Sequence, residues 1–497
     1  MARALTFDAK DPQLFQLLRR VQPLKKLTDK EIFKLQSILK KVEYEAGETL
    51  FSEGDFGTCA YVVADGELSL ERWGHTIKRF GAGALFGEIA LVDDRPRTGT
   101  VRAAKKTVLY CMEGRDLEDD ERLAPGIGRK IYQGFSRQLA SYMREGADLF
   151  CEMDVLIIQD GGCAPGYNPV TAFVTEYLEN MGRRVFIAAE GFKSVVANRT
   201  EDYRCLIHDL ERFSHMDHIS GVESSRPLRD RRGADFRSER FPEFKEAANQ
   251  ERAVKAILER KVKVLVGIGG NGTLAGIKAL ADRLPPEVLI YFVPVTIDSD
   301  VYGTHSIGEF TGVEVGAEKI RCYMADARTH KRCYIIEMMG ADGGYHALHS
   351  CLGAGADLAV LPNSNLDLKK IAAALARRTE AVIVVAEGYK AKERKAAGYK
   401  GNAAEFFRDE LVAAGPQAPM RLICEPFSRD VRGASPNNMD IMLSLRMARK
   451  IGEMVENKES RRMPAVLAER EYSIPLSEIR TDNSVESSLA TLGSRLV

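Results

Sequence analysis

Two carboxylates one residue apart, Asp298 and Asp300 in Pro294-Val-Thr-Ile-Asp-Ser-Asp300, are the chain's clearest candidates for proton and cation chemistry. In an extended segment, residues at i and i+2 share a face. One acid can then act as general base toward a hydroxyl while the other holds a cation or orients the base. The same spacing also suits a turn or a helix cap. Two glycine loops, Gly161-Gly-Cys-Ala-Pro-Gly166 and Gly269-Gly-Asn-Gly-Thr273 with Gly276 beyond it, each follow an apolar run and precede a helical pattern. Backbone N–H groups and helix dipoles at such turns receive phosphates, although either loop taken singly also serves packing. Met339-Gly340, with Gly343 and Gly344 after it, is a further glycine element. Far upstream, Phe86-Gly-Glu-Ile-Ala-Leu-Val-Asp-Asp-Arg-Pro-Arg-Thr98 combines a glycine that allows close approach (Gly87), a carboxylate that can accept from sugar hydroxyls (Glu88) and a guanidinium fork for a phosphate (Arg97). Read in isolation, Glu88 and Arg97 equally make a surface ion pair.

The elements that must position these residues follow two rhythms. From Tyr44 to Leu109, alternating apolar residues with glycines every 8–12 positions predict a small antiparallel β-domain, with helical patterns before and after it. The acidic stretch GRDLEDDER between that region and the next helix reads as a solvated loop. From Asp154 onward, the apolar runs DVLIIQDGG, VKVLVGIGG, EVLIYFVPVTID, CYIIEMMG, DLAVLP and AVIVVAEG alternate with helical patterns. Continuous apolar strands of this kind predict parallel sheet covered on both faces. Ligands bind such sheets at the carboxyl ends of the strands, where the glycines and acids collect. The expected organisation is a domain over 1–150, a second over 151–480 and a flexible tail over 481–497.

Composition excludes several classes. The 497 residues carry 71 Lys+Arg against 71 Asp+Glu, with 45% hydrophobic and 29% charged residues, as in an ordinary globular protein. A net charge of 71 − 71 = 0 gives no reason to expect a polyanionic partner across the whole surface. The Arg-rich stretch SRPLRDRRGADFRSER alternates with acids and reads as a loop or solvated face, so nucleic acid is not expected as a partner. No apolar run reaches the ~18 residues of a membrane span, and the N-terminal residues lack the apolar core of a secretion signal. Nine scattered cysteines without a C-x-x-C pair predict free thiols and a cytoplasmic location. Of the eight histidines, His346 and His349 lie on a predicted helix after the Met-Gly element and read as packing or capping residues.

The order FGEIAL…PRTGTV closely resembles the phosphate-binding cassette of cyclic nucleotide-binding domains, and the helix–β-roll–helix layout is similar over about residues 12–147. The resemblance implies that Glu88 holds the ribose 2′-hydroxyl and Arg97 the cyclic phosphate, with Gly87, Ile89 and Thr98 lining the pocket. Thr98 stands where many cAMP sites have alanine. Its hydroxyl suits a guanine amino group, but members with threonine bind either nucleotide, so cAMP and cGMP both stay open.

Residues from about Asp154 to Ile479 resemble phosphofructokinases through GGCAPGYN, SERFPEFK, IGGNGT, PVTIDSDVYGT, RCYIIEMMG, VVAEG and RGASP, in the family's order, and through the closing EYSIPLSEI. The implied fold is an α/β fold with parallel sheets following the N-terminal β-roll. By this resemblance Asp298 is the base that takes the proton from the sugar hydroxyl, with Thr296 and Asp300 assisting transfer and metal organisation. Arg332, Met339, Gly340, Glu387, Arg421, Arg429 and Arg432 match sugar-phosphate contacts. Gly162, Arg240, Phe241, Asn271, Gly272, Thr273 and Gly276 match the ATP side, and Asp300 with Asn271 the Mg²⁺ site. Gly272 and Gly276 leave room for a nucleotide where pyrophosphate-using relatives carry bulkier residues, and Val295 stands where those enzymes have lysine; ATP is therefore the expected donor. Relatives bind sugar phosphate partly through a neighbouring subunit, which implies a homo-oligomer, most simply a tetramer.

Four positions depart from the family pattern. Asn271 and Cys163 each replace an aspartate, Ala341 replaces an arginine, and Arg429 stands for a histidine. Two readings follow. One is an ATP-dependent sugar-phosphate kinase, with fructose 6-phosphate as default substrate, regulated by cyclic nucleotide. The other is a cyclic-nucleotide sensor whose kinase-like half no longer transfers phosphate. In either, the helix GRKIYQGFSRQLASYMR, which leads within a few residues to the strand at Asp154, is expected to couple the halves.

Overall fold

The computed structural model describes residues 3–5, 11–72, 75–93, 96–97, 99–209, 221–340, 343–416, 418–427, 429–481 and 493. The chain divides into two compact units, Met1–Cys151 with Asp209–Ser224, and Glu152–His208 with Ser225–Val497.

The first unit is built on two antiparallel sheets. One runs in the order Arg3–Leu5, Lys40–Tyr44, Thr107–Glu113, Cys59–Asp65, Leu85–Phe86. The other runs Thr49–Phe51, Thr100–Ala103, Leu68–Arg72, His75–Phe80. Alternation along the strands gives each sheet an inner face, where Val63, Leu68, Phe80, Phe86, Val101 and Leu109 pack together. A second apolar layer forms where Leu14, Leu18, Ile32, Leu35, Ile131 and Phe135 of the flanking helices cover Ala60, Val62, Tyr110 and Met112. The helix Asp29–Gln36 starts on a reciprocal cap in which Thr28 and Glu31 satisfy each other's backbone N–H groups. The acidic stretch predicted as a loop is partly ordered: Gly114–Glu118 is a short helix whose Asp116 is buried and paired with Arg122 at 2.8 Å. A single guanidinium partner is enough to bring that carboxylate out of water.

In the second unit the larger sheet includes, in order, Tyr203–Ile207, Val185–Ala188, Val155–Asp160, Val264–Gly269, Leu289–Pro294, Arg462–Leu467 and Arg470–Pro475. Its centre is parallel, as expected from unbroken runs such as VLIIQD and VLVGIG, in which every residue is buried. Tyr203–Ile207 and Arg470–Pro475 join antiparallel, so this sheet is mixed and not purely parallel. The smaller sheet, Leu358–Val360, Ala381–Ala386, Arg332–Met338 and Arg421–Phe427, is parallel throughout.

Helices between the strands close the two sheets, and one of them fixes the entry to the acidic loop. Asp440, near the start of the helix Asn438–Glu456, accepts bonds from the N–H groups of Gly308 (2.8 Å) and Thr311 (2.7 Å) and from the Thr311 hydroxyl. These are the otherwise unpartnered donors at the start of the helix Glu309–His330. Gly166, at φ +119°, begins the helix Tyr167–Asn180; a Cβ there would stand 2.1 Å from Ile307 Cγ2, so only glycine lets the first glycine loop dock against the loop after Asp300.

Candidate functional site

The loops that carry the acids and glycines of the second unit all leave the carboxyl ends of strands. Leu289–Pro294 continues into Val295, whose N–H donates to Gly269 O at 3.0 Å, and Thr296, whose N–H donates to Ile307 O at 2.9 Å. Both bonds hold the stretch before the acids rigid. The Thr296 hydroxyl then accepts from the Asp298 N–H at 3.1 Å. The extended geometry that the i/i+2 spacing predicts does not form, because Ser299 sits between the acids at φ +50°. Backbone in that left-handed region costs on the order of 1 kcal/mol for a non-glycine residue. Both carboxylates are nevertheless half-buried and close enough to sense each other. Burial, and then the charge of Asp298, push Asp300 up to about 6. Burial also raises Asp298, opposed by Arg432 and reinforced by Glu387.

Oxygen atoms accumulate here without partners. Asp298 Oδ1, Asp300 Oδ1 and Asn271 Oδ1 are buried and make no hydrogen bond. The Asn271 amide donates to Asp300 Oδ2, which leaves its own oxygen turned to other use. Hard oxygen donors of this type suit Mg²⁺, which takes one or two carboxylates and fills its remaining positions with water and substrate phosphates. Among the described residues no three His, Cys, Asp or Glu side chains gather around a metal position. The fit is therefore to a cation carried in part by its phosphate ligand.

The glycine loop after Val155–Asp160 lies beneath two guanidiniums: a Cβ on Gly162 would come within 2.7 Å of Arg432 Nη1 and 3.5 Å of Arg240 Nη2. Arg432 and Cys163 clasp each other, Nη1 donating to Cys163 O at 3.1 Å and Cys163 Sγ to Arg432 O at 3.2 Å. Across the sheet, the helix Asn271–Ala281 begins at Gly270 without a side-chain cap. Gly272 is open, with no atom within 4 Å of a Cβ built there. Thr273 is committed elsewhere, its buried hydroxyl donating to Asp160 O at 2.7 Å and tying two strand ends together. Gly276 corrects the expectation of room for a nucleotide. A Cβ there would meet the Phe192 ring at 2.5 Å, and that ring is stacked on Phe244, so the missing side chain accommodates the aromatic pair.

On the other sheet, Met339 and Gly340 follow Arg332–Met338, and the Gly340 N–H donates to Glu387 Oε1 at 3.3 Å. Arg394, not anticipated from the sequence, holds the Glu387 carbonyl. Three predicted sugar-phosphate arginines are not brought to this place. Arg332 and Arg421 pair in register at the amino ends of their strands, and six residues at ~3.3 Å rise put them roughly 20 Å from Met338. Arg429 lines a separate cavity of about 690 Å³ with Arg232, Glu314, Lys319 and Cys322. Ala341 and Thr98 lie outside the described residues. The Arg-rich stretch spends its charge internally: Arg229 pairs with Glu176 and Arg237 with Glu190, each at 2.5 Å, and Arg232 bonds Ser435 at 2.7 Å. His346 is buried against Gly312 and Gly316 and His349 stacks on Tyr345, as packing residues do.

Asp160 was not singled out by the sequence, though an acid directly before Gly-Gly at a strand end was the signal. It is 7% exposed, its Oδ1 has no partner, and burial pushes it up to about 7 despite Arg240. The folded chain thus holds this proton more tightly than the unfolded chain. Stability is lost as pH rises from about 4 through about 7. Asp160→Asn is expected to raise the unfolding midpoint at pH 8, by a stabilisation of ~1–4 kcal/mol, and to give no gain at pH 4. Thermal unfolding at both pH values checks this, and equal gains at both would exclude the buried charge as the cause.

The first unit holds the anion cradle. Leu85–Phe86 leads through Gly87 (φ +81°) and Glu88 into the short helix Ile89–Asp93. Glu88 and Arg97 are 4% and 8% exposed. The Arg97 guanidinium donates to Gly87 O (2.9 Å) and Cys59 O (2.7 Å), lies 4.2 Å from the Phe51 ring centroid, and leaves Nε without a partner. A Cβ on Gly57 or Gly87 would strike it at 2.4 and 2.8 Å, so both glycines are there to let it in. Glu88 Oε1 accepts from Gln138 Nε2 at 3.3 Å, a residue of the long helix Ile127–Leu149. Ile89 is exposed at the rim.

Comparison with known proteins agrees with this division. The phosphofructokinase family model matches residues 154–455 and the cyclic nucleotide-binding domain model matches residues 41–119. The ATP-dependent 6-phosphofructokinase of Aquifex aeolicus is 31% identical over 248 residues, 48% of this chain and 71% of that protein. That of Streptococcus pneumoniae is 28% identical over 299 residues, 59% and 79% respectively. In fold, the chain is similar to the Pichia pastoris phosphofructokinase in the T-state (TM-score 0.55, 24% identity), covering 66% of this chain and 35% of that one. It is also similar to a pyrophosphate-dependent phosphofructokinase from Nitrosospira multiformis (TM-score 0.55, 17% identity), covering 68% and 86%.

Proposed function

Since the chain belongs to the phosphofructokinase family and joins to it a cyclic nucleotide-binding domain, we propose that it phosphorylates fructose 6-phosphate from ATP under the control of a cyclic nucleotide. The observation that carries the reading is Asp298: a half-buried carboxylate with one buried, unpartnered oxygen, its backbone N–H bonded to the Thr296 hydroxyl, and within charge reach of Arg432 and Glu387. A sugar phosphate bound by Arg432, Met339, Gly340 and Glu387 presents its hydroxyl to Asp298, which takes the proton as the oxygen attacks the γ-phosphorus. Gly162, Arg240, Phe241 and the uncapped helix start at Gly270–Asn271 receive the nucleotide phosphates. Asp300 and Asn271 would hold Mg²⁺, which when bound would supply electrostatic stabilisation of the transferring phosphoryl group. Open space at Gly272 and the apolar Val295 support ATP over pyrophosphate.

Arg332 and Arg421, placed at the far end of their sheet, serve the site of a neighbouring subunit in a homotetramer. Light scattering of the purified chain tests this, and a monomer would exclude it. The cradle binds cAMP or cGMP with Glu88 on the ribose hydroxyl, Arg97 on the cyclic phosphate, and Gly87, Ile89 and Thr98 as the further pocket residues. Gln138 then becomes an internal competitor for Glu88, and its release frees the helix that runs toward Asp154. Gln138→Ala is expected to tighten cyclic-nucleotide binding by about 2–10-fold, the worth of one exchanged hydrogen bond. Calorimetry measures it, and an affinity unchanged within twofold would remove Gln138 from this role.

A second reading, a sensor without phosphoryl transfer, is favoured by two observations: Asn271 engages Asp300 where a second acid is expected, and Cys163 engages Arg432. A coupled assay with fructose 6-phosphate and MgATP, with and without cAMP and cGMP, decides. Turnover that responds to either nucleotide supports the kinase. Absence of turnover across several sugar phosphates and both donors, with cyclic nucleotide still bound, supports the sensor.

A further inference from the structure

Beneath the cradle lie two thiols that the proposed binding does not use. Cys59 and Cys111 sit on adjacent antiparallel strands, Cys59–Asp65 and Thr107–Glu113, in a register that pairs Tyr61 with Cys111 and Cys59 with Glu113. The cysteines are therefore diagonal neighbours on one face of the sheet. In that register each thiol is a near neighbour of the other, and their interaction lowers the Cys59 thiol and raises that of Cys111. The Thr58 hydroxyl stands 3.6 Å from the same sulfur. Cys59 is partly exposed and Cys111 is buried. Both sulfurs lie within charge reach of Arg97.

We propose that Cys59 and Cys111 form an oxidisable dithiol, with Cys59 the attacking sulfur and Cys111 the resolving one, whose closure to a disulfide disables the Arg97 cradle. The Cys111 thiol and the Thr58 hydroxyl beside it lower the Cys59 thiol from its ordinary range, and Cys59 is the more exposed of the two cysteines. With a low-molecular-weight disulfide as oxidant, the Cys59 thiolate attacks one sulfur and expels one thiolate. The Cys111 thiolate then attacks the Cys59 sulfur of the mixed disulfide, breaking that S–S bond and expelling the second. Two protein thiols lose two electrons and two protons, and one small disulfide becomes two thiols.

The consequence for the cradle follows from geometry. Diagonal neighbours in antiparallel sheet stand roughly 7–8 Å apart, whereas a disulfide draws its Cα atoms to about 5.5–6 Å. Closure therefore pulls the Cys59 end of its strand toward Cys111. That end carries the Cys59 carbonyl on which Arg97 Nη2 rests, and Gly57, whose missing side chain admits the guanidinium. Arg97 loses its seat.

The effect on ligand rests on the cyclic-nucleotide reading of the cradle; the dithiol itself does not. The test uses the full chain, reduced, freed of reductant and then incubated with oxidised glutathione. Peptide mapping under non-reducing conditions is expected to find Cys59 joined to Cys111, and the Cys111→Ala variant to retain glutathione on Cys59. Calorimetry with cAMP and with cGMP is expected to show affinity reduced tenfold or more in the oxidised protein and regained on reduction. A map in which exposed Cys151, Cys163 or Cys322 reacts while Cys59 and Cys111 stay unlinked overturns the dithiol. A complete cross-link with affinity unchanged within twofold overturns the control. If the reduced protein binds neither nucleotide, the cradle's proposed ligand is what fails, and the map alone judges the dithiol.

Discussion

Asp298→Asn is expected to lower turnover of fructose 6-phosphate by ~10²–10⁴ while leaving ligand binding and the unfolding midpoint close to the parent's. The amide keeps the shape, and the backbone N–H of residue 298 still donates to the Thr296 hydroxyl, but the amide cannot take the hydroxyl proton. It also removes a half-buried negative charge that Glu387 opposes, so a small gain in stability is compatible with the loss of rate. The parent's pH profile supplies an independent measure. Burial raises Asp298, and Asp300 stands at about 6. The ionised base is thus depleted at a higher pH than an exposed carboxylate would be, and the acid limb of kcat/KM should lie above the ordinary carboxylate range. Undiminished turnover in the variant would exclude Asp298 as the base.

Arg97→Ala has the largest expected effect on the first unit: a loss of roughly 10–100-fold in affinity for cyclic nucleotide, from the ~1.5–3 kcal/mol of a charge-assisted contact. Lysine should rescue only part of this, since an ammonium cannot reproduce two parallel donors. The substitution also leaves Gly87 O and Cys59 O without the donor they now share. A stability measurement must accompany the titration, and binding equal to the parent's in a folded variant would refute the assignment.

The parts of the fold that were legible in the sequence were those governed by periodicity. Fully buried strands such as Val155–Asp160 and Val264–Gly269 read as unbroken apolar runs because helices cover both faces. Val185–Ala188, with four residues, and Arg421–Phe427, half exposed and carrying Glu425 and Pro426, went unread because neither offers a run long enough to outweigh its neighbours. At the site, the apolar runs made strand ends legible, and Asp298, Gly162 and Glu387 each follow the carboxyl end of a strand. What a motif cannot carry is direction along a strand or the far side of a glycine. Arg332 belongs to the same string as Met339, yet the pleat carries the two to opposite ends of the sheet. Gly276 was read as vacancy for a ligand, and Phe192, distant in sequence, fills it. Asp160 needed its burial to be seen, which no spacing reveals.

The clasp between Cys163 and Arg432 joins positions 269 residues apart. Its closure is among the most non-local events the chain must complete, and such contacts form late because the entropy of closing long loops is lost before they stabilise anything. An intermediate with both sheets formed but not yet docked would hold a glycine loop without Arg432 above it. Phosphate ligands therefore meet the complete site only at the final step. Adding them during refolding should leave the folding rate unchanged and slow only the reverse reaction, so that their protection appears entirely as a longer native lifetime.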